Sequence, residues 1–247
     1  MDGVIRITLA AFIVILCGSL AGIAFSGYVE SAYEKTLEGT YGYTLSFSAD
    51  GTLSNATFFI PVPEDPGGNS PVIGDFSAGN VSGLPDGWKA VLFDTGKSTL
   101  VKITARTVPG PAGTAPQPPA VVTLFVNYSS GHRIETADPT GNGTMFRPAD
   151  DLREVPCPTG GIQAVGSPEC FDFNIPVYAD YTAAPGTTLT ISSSLSGRND
   201  WKIFGPKFNQ YTAAFGITLT GGNHGWATAT GTLMRRNGYY DEPRHPA

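Results

Sequence analysis

The hydrophobic pattern changes character once, near residue 39. Residues 7–25 read ITLAAFIVILCGSLAGIAF and carry no formal charge. At a rise of about 1.5 Å per residue, roughly 20 apolar residues span the hydrocarbon core of a bilayer. Residues 1–26 are therefore expected to be a transmembrane anchor or a signal peptide. A signal peptide has an apolar centre of about 7–15 residues followed by small residues at the cut. Residues 7–16 fit that description, with Ala21, Ala24 and Ser26 as cut positions. Ile23, Ala24 and Phe25 carry the apolar run past the first of these, which favours the anchor. Arg6 precedes the run, whereas Glu30, Glu34 and Glu38 follow it with a single Lys35. The positive-inside tendency then places the N-terminus in the cytoplasm and the chain after Gly27 outside the cell. Cys17 follows Leu16 rather than the small residue that lipid attachment needs, and is expected to be a small buried apolar side chain. Residues 27–39 read as a short, solvated helical stalk that stops at Gly39.

Beyond that point the period becomes two, the period of strands. Residues 40–48 (TYGYTLSFS) and 52–61 flank Ala49-Asp50-Gly51 and predict a first hairpin. Residues 87–106 repeat the design around Asp94-Thr95-Gly96-Lys97. The Pro-rich residues 108–119 suit a surface connector. Residues 120–128 (AVVTLFVNY) form a continuous apolar run, the pattern of a strand buried on both faces. Residues 129–168 are polar and rich in Pro and Gly. Four further strands are expected at 171–181, 187–195, 211–220 and 226–235, the last two joined by Gly221-Gly222-Asn223-His224-Gly225. The pattern predicts a mainly β fold: an antiparallel β-sandwich over residues 40–236, as one large unit or two sub-lobes. Residues 237–247 are expected to form a flexible tail.

Composition sharpens this picture by exclusion. Charged residues make up 15% of the 247, while Gly numbers 31 and Pro 20. Helical bundles and coiled coils need the opposite balance. A net charge of -6 argues against binding to nucleic-acid phosphates.

Two of the three cysteines, Cys157 and Cys170, flank a Gly/Pro-rich loop in the exported part, which predicts a disulfide. Four sequons, at Asn55, Asn80, Asn127 and Asn142, offer glycosylation acceptors where the host performs that reaction. His132, His224 and His245 stand singly, as solvated loop histidines, and no metal site or cofactor is expected. Carboxylate pairs such as Asp150-Asp151 fall in predicted loops.

One short motif carries catalytic meaning. Residues 91–96 (VLFDTG) resemble the active-site turn of aspartic proteases, in which two aspartates share a proton and activate water. Asp94 matches the catalytic position. The resemblance ends after six residues: Lys97 replaces a small residue, and no second Asp-Thr/Ser-Gly triplet occurs, so such an enzyme would have to be a dimer. The same residues make an ordinary hairpin turn. Trp88, after a turn, is the tryptophan expected to be exposed and able to stack on a sugar; Trp201 and Trp226 are expected in the core. The sequence thus favours a non-catalytic, membrane-anchored envelope protein with a structural, adhesive or partner-binding role. A carbohydrate-binding module and a hydrolase using Asp94 are the alternatives.

Overall fold

The computed structural model describes residues 2–111, 118–158 and 166–240. It is mainly β, with a curled antiparallel sheet preceded by one apolar helix. That helix, α1 (Asp2–Thr36), runs without interruption through the expected anchor and stalk. From Ile7 onward it is long and apolar enough to cross a membrane, and its apolar window is uncovered by the rest of the chain. Cys17 is correspondingly exposed on the helix surface and not packed in protein. The helix ends before Gly39. That glycine lies instead in the first strand, pressed against the His132 carbonyl where a side chain would not fit.

The strands are β1 (Glu38–Ala49), β2 (Leu53–Pro61), β3 (Pro63–Glu64), β4 (Lys89–Asp94), β5 (Thr99–Val108) and β6 (Ala120–Ser130). After them come β7 (Met145–Phe146), β8 (Asp150–Val155), β9 (Glu169–Ala183), β10 (Thr188–Lys202), β11 (Pro206–Thr220) and β12 (Asn223–Gly238). A short helix, α2 (Ile73–Ala78), lies between β3 and β4. The main sheet runs β4-β5-β2-β9-β12-β11-β10-β1-β6, with β8 also paired to β9; β3 and β7 form a separate pair.

Consecutive strands β1 and β2 therefore do not pair, which corrects the expected first hairpin. The turn between them is a corner. The Thr188 amide donates to the Asp50 carboxylate (2.6 Å) and the Asp50 amide to the Thr188 carbonyl (3.1 Å), tying the corner to the turn between β9 and β10. From there the chain crosses the core, so Phe47 of β1 meets Phe58 of β2 with ring centroids 4.8 Å apart. A single apolar cluster draws on strands from both halves of the curl, including Leu45, Ile60, Ile103, Leu124, Val177 and Leu233. Gly231 lets the Phe173 ring lie directly over the β12 backbone; a side chain there would overlap the ring. The two later hairpins, β4–β5 and β11–β12, pair as expected.

β6 departs from its expected place. It pairs with β1 on one side only, and Val121, Phe125 and Tyr128 are exposed. The apolar run is that of an edge strand. Its outer side meets Ser82, which exchanges two backbone hydrogen bonds with Phe125 (3.1 and 3.0 Å) and so blunts part of an open edge. The expected tail is also ordered at its start. β12 continues to Gly238, the Tyr239 amide donates to the Phe208 carbonyl, and the Tyr240 hydroxyl donates to the Thr136 carbonyl. Residues 241–247 lie outside the described residues.

The stalk is not a free spacer. Tyr33 is 2% exposed and meets the Trp201 ring edge-on at 5.6 Å, in a small cluster with Ile203, Val29, Ala32 and Leu37. The Lys202 amide donates to the Thr36 hydroxyl (2.9 Å), which itself donates to the Ala32 carbonyl. The helix end is thus fastened to the β10–β11 hairpin.

Candidate functional site

Strands that are apolar on both faces mark where the outside of a sheet has work to do. In β2, Phe58 and Ile60 point into the core, so Phe59 between them points out; in β9, Val177 and Ala179 do the same for Tyr178. The register then aligns these outward residues. Val91 of β4 lies opposite Lys102 of β5, Phe59 of β2 opposite both Lys102 and Tyr178 of β9, and Tyr178 opposite Trp226 of β12. Phe93 joins diagonally.

The rings form a continuous row. Phe93 to Phe59 is 5.5 Å, Phe59 to Tyr178 is 5.4 Å and Tyr178 to Trp226 is 5.4 Å, each pair edge-to-face. Lys102 Nζ sits 5.4 Å from the centre of the Phe59 ring. Cross-strand aromatic pairs stabilise a sheet by about 0.2–1 kcal/mol each, yet here much of the aromatic surface stays open. Trp226 is 60% exposed at one end of the row, and Val91 and Phe93 are exposed at the other. The next row toward the strand ends is polar, with Thr57 opposite Asp180 and Asp180 opposite His224. His224 Nδ1 lies 2.5 Å from Asp180 Oδ1, so this histidine is a strand residue paired to a carboxylate and not the isolated loop residue expected. His132 is an exposed loop residue, and His245 lies outside the described residues.

The tryptophans exchange their expected places. Trp88 is 8% exposed, its indole N–H donates to the Thr107 carbonyl (3.2 Å), and its ring packs on Phe47. Trp201 is buried as expected, although under α1 and not in the main core. The indole available to a ligand is that of Trp226. A turn ahead of Trp88 suggested exposure, but the ring turns inward onto Phe47 and joins the main core.

Asp94 is the last residue of β4, next to Phe93, and leads into the turn between β4 and β5. Its carboxylate accepts the Gly96 amide (2.7 Å), and Gly96 holds a φ of 74°. The Thr95 hydroxyl donates to the Ser98 carbonyl (2.8 Å) and the Ser98 amide donates back to it (3.0 Å). The first of these bonds engages Asp94 in holding the turn, and the other two tie Thr95 to Ser98 across it.

Cys157 and Cys170 sit with their sulfurs 2.10 Å apart and their Cα atoms 5.1 Å apart, at disulfide distance. This pair joins the end of β8 to the start of β9, where Val155 also pairs with Cys170. Asn55, Asn80, Asn127 and Asn142 are all exposed, on separate loops and strands, and the structure brings no two of them into one site. Asp151, Arg153, Asp172 and Asn174 line an open groove of about 450 Å³ beside β8. Asn174 donates to Asp151 there (3.0 Å), and Arg153 faces Asp172 at 3.9 Å. Among the described residues no group of three or more His, Cys, Asp or Glu could hold a metal ion.

The chain matches no family model, no curated protein and no solved structure.

Proposed function

We propose that this chain is a non-catalytic, membrane-anchored protein of the cell envelope, whose aromatic row receives a partner outside the cell. The row of Phe93, Phe59, Tyr178 and Trp226 is the observation that carries the reading. Burying such rings against a partner releases about 25 cal/mol per Å² of apolar surface, and central aromatic anchors dominate many interfaces. Position supports it as well. β11 leaves the helix-bound turn at Pro206 and runs 15 residues to Thr220. Trp226 lies near the start of β12, just past the loop at that far end, so the row stands at the end of the sheet remote from the membrane that α1 would cross. The charges flanking residues 7–25 support a cytoplasmic N-terminus, and the Cys157–Cys170 pair suits an oxidising exterior.

The test is photo-cross-linking in native membranes from a reactive group placed at Trp226. A discrete adduct, lost when Phe93→Ala is added while the fold survives, is the expected result. An adduct pattern unchanged by Phe93→Ala would reject the row as the docking face. A second reading, carbohydrate binding, draws on the open Trp226 indole beside the hydrogen-bonding groups of Asp180 and His224. In that case a soluble oligosaccharide would quench tryptophan fluorescence in the wild type and not in Trp226→Phe.

A further inference from the structure

The turn between β10 and β11 reaches down beside α1 and ends in an exposed aromatic. Phe204 is 76% exposed, the most open large apolar side chain among the described residues. Its backbone adopts a φ of 54°, a left-handed conformation unfavourable for a bulky side chain, and Gly205 follows with a φ of 144°. The Ile203 amide donates to the Gly205 carbonyl (3.2 Å), closing the tip. The Phe204 ring stacks on Phe25 at 5.9 Å and lies equally close to Tyr28, tilted. Both helix residues are themselves exposed.

Depth follows from two independent lengths. Phe25 closes the apolar run of residues 7–25, with Ser26 and Gly27 after it and the first charge at Glu30, so in an inserted helix it lies near the outer boundary of the hydrocarbon. From Tyr33 back to Phe25 the helix descends about 12 Å. From Trp201, which packs on Tyr33, to Phe204 the chain can reach down about 10 Å at most, through the last strand residue and the bend that follows it. The two elements run alongside each other and bring Phe204 to the depth of Phe25. Lys202 and Lys207 stand on the two arms of the hairpin above the tip, and Pro206 adds an uncharged residue between them. Lys207 Nζ lies 5.7 Å from the Tyr239 ring centre. Glu30, Glu34, Glu38 and Asp200 also lie near this end, farther from the apolar run in the chain than Phe25 and Tyr28.

We infer that the β10–β11 hairpin tip is a second membrane contact, with Phe204 inserted among the lipids beside Phe25 and Tyr28 at the outer interface. Aromatic side chains favour that layer, and the lysine ammonium groups reach the headgroups above it. Two contacts fix the tilt of the sheet, where a single helix would let it swing, so the aromatic row is held at a set height. The inference rests on α1 being an uncleaved anchor.

The test uses the full chain in phosphatidylcholine–phosphatidylglycerol vesicles carrying nitroxide-labelled lipids. In a Cys17→Ser background, single cysteines replace Phe204, Phe25 or, as a distal control, Thr220, and carry an environment-sensitive fluorophore. Quenching of the Phe204 and Phe25 labels by shallow lipid nitroxides, with the Thr220 label quenched only by aqueous iodide, is the expected result. Lipid quenching at Phe25 without quenching at Phe204 would overturn the hairpin contact and leave the anchor standing. Absence of lipid quenching at both positions would overturn the anchor and the hairpin contact together. A Phe204 label shielded from iodide and from lipid nitroxides would mean that protein covers the tip, which also overturns the inference.

Discussion

Beside α1, Tyr33 meets Trp201 across most of the length of the chain, and both rings are buried. At the far end of the sheet, Tyr178 meets Trp226 across one strand boundary, and the indole stays open. Both are edge-to-face contacts of similar length. Their consequences differ because burial decides what a ring contributes. The Tyr33–Trp201 contact joins two elements that no backbone ladder connects, so it determines where the domain sits on its helix. The Tyr178–Trp226 contact lies on strands already joined by a continuous ladder, so its rings are available for another use.

Truncating the buried contact is expected to have the larger effect. Trp201→Ala should cost about 3 kcal/mol, as large-to-small changes at buried aromatics do, and should expose the junction after residue 26 to protease while the β-sheet signal in circular dichroism persists. A chain equally resistant to cleavage would show that the helix is held by other means.

Opening the Cys157–Cys170 pair should rank close behind. Closing a loop with a sequence separation of 13 stabilises by about 3 kcal/mol on the chain-entropy model. Cys157→Ser should lower the melting temperature markedly and should remove the wild type's sensitivity to reductant. Peptide mapping without reductant should recover the two segments linked; two freely alkylatable thiols in the folded protein would refute the pairing.

The turn at the edge of the aromatic face separates its two polar roles. Gly96→Val should cost about 1–2 kcal/mol, because a β-branched residue resists a positive φ. Asp94→Asn keeps an acceptor for the Gly96 amide and should cost under about 1 kcal/mol. Acid-optimal peptide cleavage by the purified protein, abolished in Asp94→Asn at unchanged stability, would instead make Asp94 catalytic.

Trp226→Ala should change stability by less than about 1 kcal/mol, since open side chains contribute little to folding. A loss as large as that of Trp201→Ala would break the distinction between the two aromatic groups and make the outer row part of the scaffold.

The smallest effect is set by pH. The Thr140 hydroxyl, the Gly141 amide and Arg235 hold Asp138 below the usual carboxylate range, against a smaller effect of burial. A lowered folded-state value means that the carboxylate stabilises the fold above the ordinary carboxylate range. That contribution is lost as the pH falls through the lowered value. Melting curves of the wild type and Asp138→Asn should therefore differ slightly near neutrality and converge in acid.

Period and composition alone determined the helix of apolar residues, the mainly β class and nearly every long strand. Alternation is a local property, imposed by which side of one strand faces apolar surroundings. The pairing of Cys157 with Cys170 was equally legible, because an expected export and a short intervening loop leave few alternatives. Strand order was not legible. Ala49-Asp50-Gly51 has the composition of a hairpin turn, and the same residues serve as a corner once Asp50 binds Thr188 and the chain crosses the core. The apolar run of β6 reads like a central strand, yet a run of apolar residues cannot report whether one neighbour or two will pair with it. The aromatic row left a trace in the sequence, since Phe59 and Tyr178 each sit between two core residues and so face outward. Which outward residues become neighbours depends on strand order and register across β4, β5, β2, β9 and β12, and those are set by contacts between residues far apart in the chain. For the same reason Trp88 and Trp226 could not be told apart in advance: the exposure of a ring is decided by whatever else the fold lays over it.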